Sequence, residues 1–149
     1  MTFEALGIDA RLIQATNELG YVNPTAIQEQ AIPVLLSGTT DFIGLAQTGT
    51  GKTAAFGLPL LHVIDPKAKH PQALVVCPTT LMFNWENEIR KFTPTLTWHI
   101  HHGGERSRNK AMLAEKNVII TTYGTLRSDI KMLVEMDFDY VVLDESQAI

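Results

Sequence analysis

Residues 46–53 read AQTGTGKT, and residues 140–145 read YVVLDE. Together they hold the residue types needed to grip a triphosphate and a divalent cation. The first stretch is A-x-x-G-x-G-K-T, a variant of the phosphate-loop pattern G-x-x-x-x-G-K-[ST] with Ala46 in the leading place. Gly49 and Gly51 permit backbone turns that a side chain would hinder. The N–H groups from Gln47 through Thr48, Gly49 and Thr50 to Gly51 would then face inward as an anion nest. A helix starting behind the loop adds a favourable dipole. Lys52 is placed to reach the β- and γ-phosphates, and Thr53 to offer its hydroxyl to Mg²⁺. A chance glycine turn is the bland alternative, but an apolar stretch before the loop and a helix after it match what phosphate binding requires.

A carboxylate at the C-terminal end of a buried parallel strand faces the crevice where open α/β sheets bind ligands. Asp144 would hold Mg²⁺ there, largely through water, and Glu145 would orient or deprotonate an attacking water. Charged exits from strands are common, so this pair gains meaning only from the phosphate loop that precedes it in the chain. Lys52, Asp144 and Glu145 are the expected catalytic set. The pairing favours hydrolysis over phosphoryl transfer to a small metabolite, and nothing in the sequence marks an acceptor pocket.

These groups need a scaffold, and 149 residues suffice for one domain with a sizeable core. Hydrophobic residues make up 45% and charged residues 19%, as in a globular protein. No apolar run is long enough to span a bilayer, and the N-terminus lacks the pattern of a secretory signal. Cys77 has no cysteine partner and lies in the apolar run ALVVCP, which suits a small buried hydrophobe in a reducing compartment. The 12 basic against 16 acidic residues give a net charge of −4, but only Arg11 and Lys52 among the basic ones precede Lys67. A local basic surface in the back half is therefore compatible with the acidic total.

The periodicity predicts helices over FEALGIDARLIQATNELG and TAIQEQAIPVLLS, the second capped by Thr25 and ended by Gly38. DFIGLA is expected to be a short buried strand. AAFGLPLLHVI is expected to be a helix that Pro59 kinks or shortens. Farther on, ALVVC, TWHIHH, NVIITT and YVVLDE read as strands. LMFNWENEIRKF, the end of GGERSRNKAMLAEK, and LRSDIKMLVEM read as helices. In LMFNWENEIRKF the apolar Leu81, Trp85, Ile89 and Phe92 fall at near-helical spacing. Alternating elements with continuous apolar strands predict an α/β fold whose mostly parallel sheet is covered on both faces.

With these motifs in order, the chain resembles the first core domain of superfamily 2 helicases. GYVNPTAIQ, with Phe3 upstream as an isolated aromatic, and AQTGTGKT resemble the DEAD-box RNA helicases over residues 1–65. PTTLMF, TTYG and DESQ depart from the DEAD-box forms PTRELA, TPGR and DEAD. Residues 72–149, with Asn84–Trp85, look more like the Snf2-type ATPases, whose usual phosphate loop is absent. The resemblance implies a three-layer RecA-like P-loop NTPase domain over residues 1–149, with a helical Q-motif region at 1–40. It implies ATP and Mg²⁺ as cofactors, Gln28 on the adenine edge, Phe3 stacked on the base and Thr25 supporting that loop.

By the same resemblance Pro78, Thr79, Thr80, Gly103, Gly104, Thr121, Thr122 and Arg127 would touch a nucleic-acid backbone; hydroxyls and backbone N–H groups can bind phosphates without reading bases, and ordinary helix caps and turns are the bland alternative. The partner is RNA by the front half and double-stranded DNA by the back half. His99, His101 and His102 offer a metal reading that lacks a further suitably spaced ligand. Trp85 and Trp98 read as packing residues. By the same resemblance a SAT-type strand and a second RecA-like domain with its arginine finger are expected to be missing. The sheet would then lack its last strands, leaving a risk of self-association. The isolated chain would bind nucleotide weakly and turn over little ATP, in a cytoplasmic or nucleoid/nuclear setting. A non-catalytic fragment or composite scaffold is the remaining alternative.

Overall fold

The computed structural model describes residues 1–38, 40–46, 51–68, 70–104, 106 and 109–148. Within the span expected as a single domain, the chain divides into two compact units, Met1–Val63 with Lys91–Thr93, and Ile64–Arg90 with Pro94–Ile149. No helix among the described residues is long and apolar enough to cross a membrane.

The first unit is helical. FEALGIDARLIQATNELG does not form one helix. A short 3-10 turn at Glu4–Leu6 ends at Gly7, whose φ of 92° only glycine adopts readily. Asp9 then caps α1 (Ala10–Glu18), its carboxylate accepting the Arg11 N–H at 2.7 Å. Helix α2 (Ala26–Ser37) starts after Thr25 and stops at the left-handed Gly38, as the sequence signals. Helix α3 (Lys52–Val63) runs across Pro59 to Val63, so of the expected kink or shortening the shortening does not occur. Its Ala55, Leu58 and Leu61 are buried, and that packing outweighs the single backbone hydrogen bond a proline removes. Ile27 and Ala31 of α2 pack on Ala55 of α3, with Leu35, Phe42 and Ala46 around them.

Residues 41–46 carry no strand, contrary to expectation. Phe42 and Ala46 point into the α2–α3 core, while Ile43 and Leu45 are 87% and 91% exposed. The alternation is that of a strand, but a strand exists only where neighbours accept its ladder of hydrogen bonds, and among the described residues none does.

The second unit supplies the sheet. Its order is β2-β3-β1-β4, from β1 (Ala73–Cys77), β2 (Trp98–His101), β3 (Val118–Thr122) and β4 (Tyr140–Leu143), with every pairing parallel. The crossovers contain α4 (Met82–Phe92), α5 (Lys110–Ala114), α6 (Tyr123–Ser128) and α7 (Ile130–Val134). Every residue of β1 and β3 is buried, which explains the uninterrupted apolar run of β1 and the apolar start of β3. Leu74, Val76, Leu113 and Ile119 form a core with Met112, Tyr123, Leu126 and Met132 packed on it.

Two further expectations change here. β4 reads as a strand covered on both faces, yet Tyr140, Val141 and Leu143 are exposed, because β4 ends the described sheet with β1 on one side alone. LRSDIKMLVEM reads as one helix, yet it breaks into α6 and α7 at Asp129, whose carboxylate is drawn into the interior.

Candidate functional site

In the first unit, Gln47, Thr48, Gly49 and Thr50 lie outside the described residues. Gly51 is described, with φ of 82°. A Cβ there would sit 2.4 Å from Gln28 Nε2 and 3.2 Å from Thr25 Oγ1, so any side chain would have to displace the Gln28 amide as well as adopt a strained φ. Lys52 and Thr53 open α3, at the helix end whose free N–H groups and dipole favour anions.

Gln28 ties two expected motifs together. Its Oε1 accepts the Thr25 N–H at 2.9 Å, and its Nε2 donates to the Gly51 carbonyl at 3.1 Å. The amide expected to read adenine thus braces the end of the phosphate loop in this conformation. Phe3 is only 4% exposed, so it presents little ring face for a base to stack on.

In the second unit, Asp144 is the centre of a buried polar cluster. The Asp144 N–H donates to the Val76 carbonyl at 2.8 Å, carrying the β1–β4 ladder one residue past Leu143. Tyr123 donates its hydroxyl to the Asp144 carbonyl at 2.8 Å, and Trp85 donates its indole N–H to Asp144 Oδ2 at 2.9 Å. The other carboxylate oxygen, Oδ1, is buried with no hydrogen-bond partner among the described residues. A buried, unpartnered carboxylate oxygen is costly unless a cation or its water takes it up, so the donor set suits Mg²⁺. Burial first, then the Asp144 charge, pushes both the Tyr123 hydroxyl and the Cys77 thiol up to about 12. Glu145 follows with φ of 53°, in the left-handed region that few non-glycine residues occupy. Its carboxylate accepts a hydrogen bond from the Gln147 amide.

A cleft of about 590 Å³ opens at the C-terminal ends of β1, β2 and β3. Pro78 and Thr79 line it from β1, His102 from β2 and Thr122 from β3, with Arg106, Thr125 and Ser128 completing the polar wall. Thr122 caps α6, and its hydroxyl, that of Thr125 and His102 Nδ1 lie within 3.1 to 3.4 Å of one another. The Arg106 guanidinium is aimed by Asp129, at 2.6 and 2.8 Å.

Three of the residues expected at a nucleic-acid face, Pro78, Thr79 and Thr122, are thus brought together. Thr80, Gly103, Gly104 and Arg127 are exposed but lie outside the cleft lining. Thr121 is a correction: it is fully buried, and its hydroxyl donates to the His101 carbonyl at 2.8 Å, so it reaches no phosphate. His102 enters from the end of β2, which a linear reading does not show, and Arg106, which the sequence offers as a solvated face or an aid to a phosphate contact, is held at the cleft by Asp129. Trp85 keeps the core place expected of it but gains a polar partner.

The DEAD/DEAH box helicase family matches residues 25–149. The chain is 55% identical to the ATP-dependent RNA helicase DeaD of Buchnera aphidicola subsp. Acyrthosiphon pisum, over 97% of the chain and 25% of the relative. It is 35% identical to the ATP-dependent RNA helicase CshA of Listeria monocytogenes, over 97% of the chain and 29% of the relative. The structure superposes on that of the RNA helicase Prp28 of Chaetomium thermophilum bound to ADP, with a TM-score of 0.79 and 36% identity. That superposition covers 98% of this chain and 38% of the other. The chain therefore spans between a quarter and a third of the curated relatives it matches. These matches run through residues 72–149 as well, and none of them is to a Snf2-type ATPase. An α/β RecA-like fold with a parallel sheet, and a family match that takes in both Lys52 and Asp144, make the chain a member of the DEAD/DEAH box helicase family.

Proposed function

We propose that the chain is the ATP- and RNA-binding portion of an ATP-dependent RNA helicase, and that unwinding belongs to the whole protein. The observation that carries the reading is the cleft at the strand ends, where the exposed Thr79 and His102 side chains and the Arg106 guanidinium are gathered, His102 held by the buried Thr122 and Thr125 hydroxyls. Hydroxyls, an imidazole and a guanidinium at a strand-end crevice can bind a sugar-phosphate backbone without reading bases. The names of DeaD, CshA and Prp28 as RNA helicases favour RNA over double-stranded DNA.

Lys52 would neutralise the β- and γ-phosphates, and Thr53 and Asp144 would hold Mg²⁺, largely through water. Bound Mg²⁺ supplies charge neutralisation to the departing phosphate. Glu145 would take the proton of the attacking water or orient it. A second RecA-like domain would complete the site with an arginine and the RNA track with further backbone contacts. The chain alone would bind Mg·ADP weakly and turn over little ATP. This reading carries a cytoplasmic or nucleoid/nuclear location.

Fluorescence anisotropy tests it. Labelled single-stranded RNA should bind with an affinity that falls with salt. The double change Thr79→Val with His102→Ala should weaken RNA binding about tenfold, as expected for roughly 1.4 kcal/mol of lost contacts, and leave ADP binding in place. Duplex DNA bound in preference to RNA would overturn the RNA assignment. Loss of ADP binding in the double variant would show that the cleft is not a separate RNA surface.

A further inference from the structure

We infer that Trp85 is a positioning residue for the Mg²⁺-binding carboxylate, its indole N–H holding Asp144 so that Oδ1 is the oxygen presented to the cation or its water. The inference rests on the nucleotide-binding reading and names a residue that the reading itself does not use.

The Asp144 backbone is fixed independently of Trp85, by its N–H bond to Val76 and by the Tyr123 hydroxyl on its carbonyl. What those bonds leave open is the rotation of the side chain. The described hydrogen bond that sets it comes from Trp85 Nε1, at 2.9 Å to Oδ2. Trp85 is 1% exposed and Asp144 2% exposed, so water does not compete for that oxygen. One carboxylate oxygen is therefore committed, and the other is buried and has no partner among the described residues.

The chemistry of the donor matters. An indole N–H donates and cannot accept, so it cannot pair with a metal-bound water or turn over as an amide can. It stays a donor at every pH at which the protein folds. The indole is also rigidly held. Met82, Trp85 and Ile89 lie on one face of α4 and all are buried, which leaves the ring no room to rotate away. A carboxylate held from one side by a fixed donor meets a cation with its orientation already decided, and outer-shell partners of this kind strengthen metal binding. The two residues are 59 positions apart, so the pairing exists only in the folded unit.

The test uses the two tryptophans as reporters. In a ¹H–¹⁵N spectrum each indole gives its own signal, Trp85 bonded to Asp144 and Trp98 bonded to Glu86. Adding Mg·ADP should move the Trp85 indole signal more than that of Trp98. Trp85→Phe keeps the ring and removes the N–H. It should lower the Mg²⁺ affinity of the ADP complex about tenfold while ADP affinity in EDTA stays the same. Asp144→Asn should abolish most of the Mg²⁺ dependence. If Asp144→Asn has no effect, the nucleotide reading fails and this inference with it. If Asp144→Asn acts but Trp85→Phe does not, the inference alone is overturned. Should Trp85→Phe fail to fold, an unmoved Trp85 signal in the unaltered chain overturns it equally.

Discussion

His101 Nε2 lies 2.7 Å from Asp129 Oδ2, with both side chains closed to solvent. Asp129 takes two more bonds, from Arg106 Nε at 2.6 Å to the same oxygen and from Arg106 Nη2 at 2.8 Å to Oδ1. The Arg106 guanidinium beside it, and then His101, hold the Asp129 carboxyl well below the usual carboxylate range. An ionised carboxylate only accepts, so Nε2 carries the imidazole proton. The cost of drawing Asp129 inward is visible as the break between α6 and α7. The return is a fixed Arg106 at the edge of the cleft.

Asp129→Asn should destabilise the second unit by about 2 kcal/mol, the scale of hydrogen bonds to a charged group lost from a buried site. The pH dependence has a definite sign. The native carboxyl has a depressed pKa, so its stabilisation is complete above the unfolded value near pH 4 and is lost as pH falls below it. Urea unfolding at pH 7 should therefore show the full gap between the parent and Asp129→Asn. The gap should begin to close below about pH 4. A gap that widens on acidification would show that Asp129 is not ionised in the native state.

Gly51→Ala tests the brace between Gln28 and the end of the phosphate loop. The substitution meets two obstacles, the positive φ of 82° and Gln28 Nε2 at 2.4 Å from the new Cβ. Gly103 has a similar φ of 94° with nothing near its Cβ, so Gly103→Ala incurs backbone strain alone. Gly103→Ala should cost about 1 kcal/mol, and Gly51→Ala more, with weaker ADP binding as well. Thermal melts and ADP titrations of the two variants side by side decide it. Equal losses would mean that Gln28 swings aside freely and is no brace.

The readable parts of this molecule are those whose physics is local. Thr25 and Gly38 mark the ends of α2 through capping chemistry that spans a few residues. Val75 sits in a fully buried strand, as its unbroken apolar run requires. Lys52 opens a helix directly behind its glycines. What escaped depends on partners far along the chain. DFIGLA has the alternation of a strand, yet alternation cannot supply the neighbour that makes one. Trp85 sits at a helical core position, and nothing near it in sequence announces Asp144. LRSDIKMLVEM has helical spacing throughout, and only the pull of His101 and Arg106 on Asp129 divides it.

Ile43→Ser and Leu45→Ser should leave stability within about 0.5 kcal/mol of the parent, because neither side chain is buried. Exposed apolar pairs on an extended segment with no strand neighbour among the described residues invite association. The double variant should therefore shift the chain toward monomer at high concentration in analytical ultracentrifugation. A drop in melting temperature of many degrees would instead show that this segment is covered in solution.

Cys77 offers a probe of the sheet that needs no substitution. Its thiol is fully buried in β1, and burial with the nearby Asp144 charge pushes it up to about 12. Only the thiolate alkylates, so at pH 8 the native thiol is protected twice, by access and by protonation. Iodoacetamide labelling should be slow without urea and rise along the unfolding curve. On the proposed reading Mg·ADP binds the native state alone, so saturating Mg·ADP should delay labelling to higher urea. Omitting Mg²⁺ should remove most of that delay if Asp144 holds the cation. Fast labelling at pH 8 without denaturant would place the sulfur at the surface and break the link between Cys77 and the Asp144 cluster.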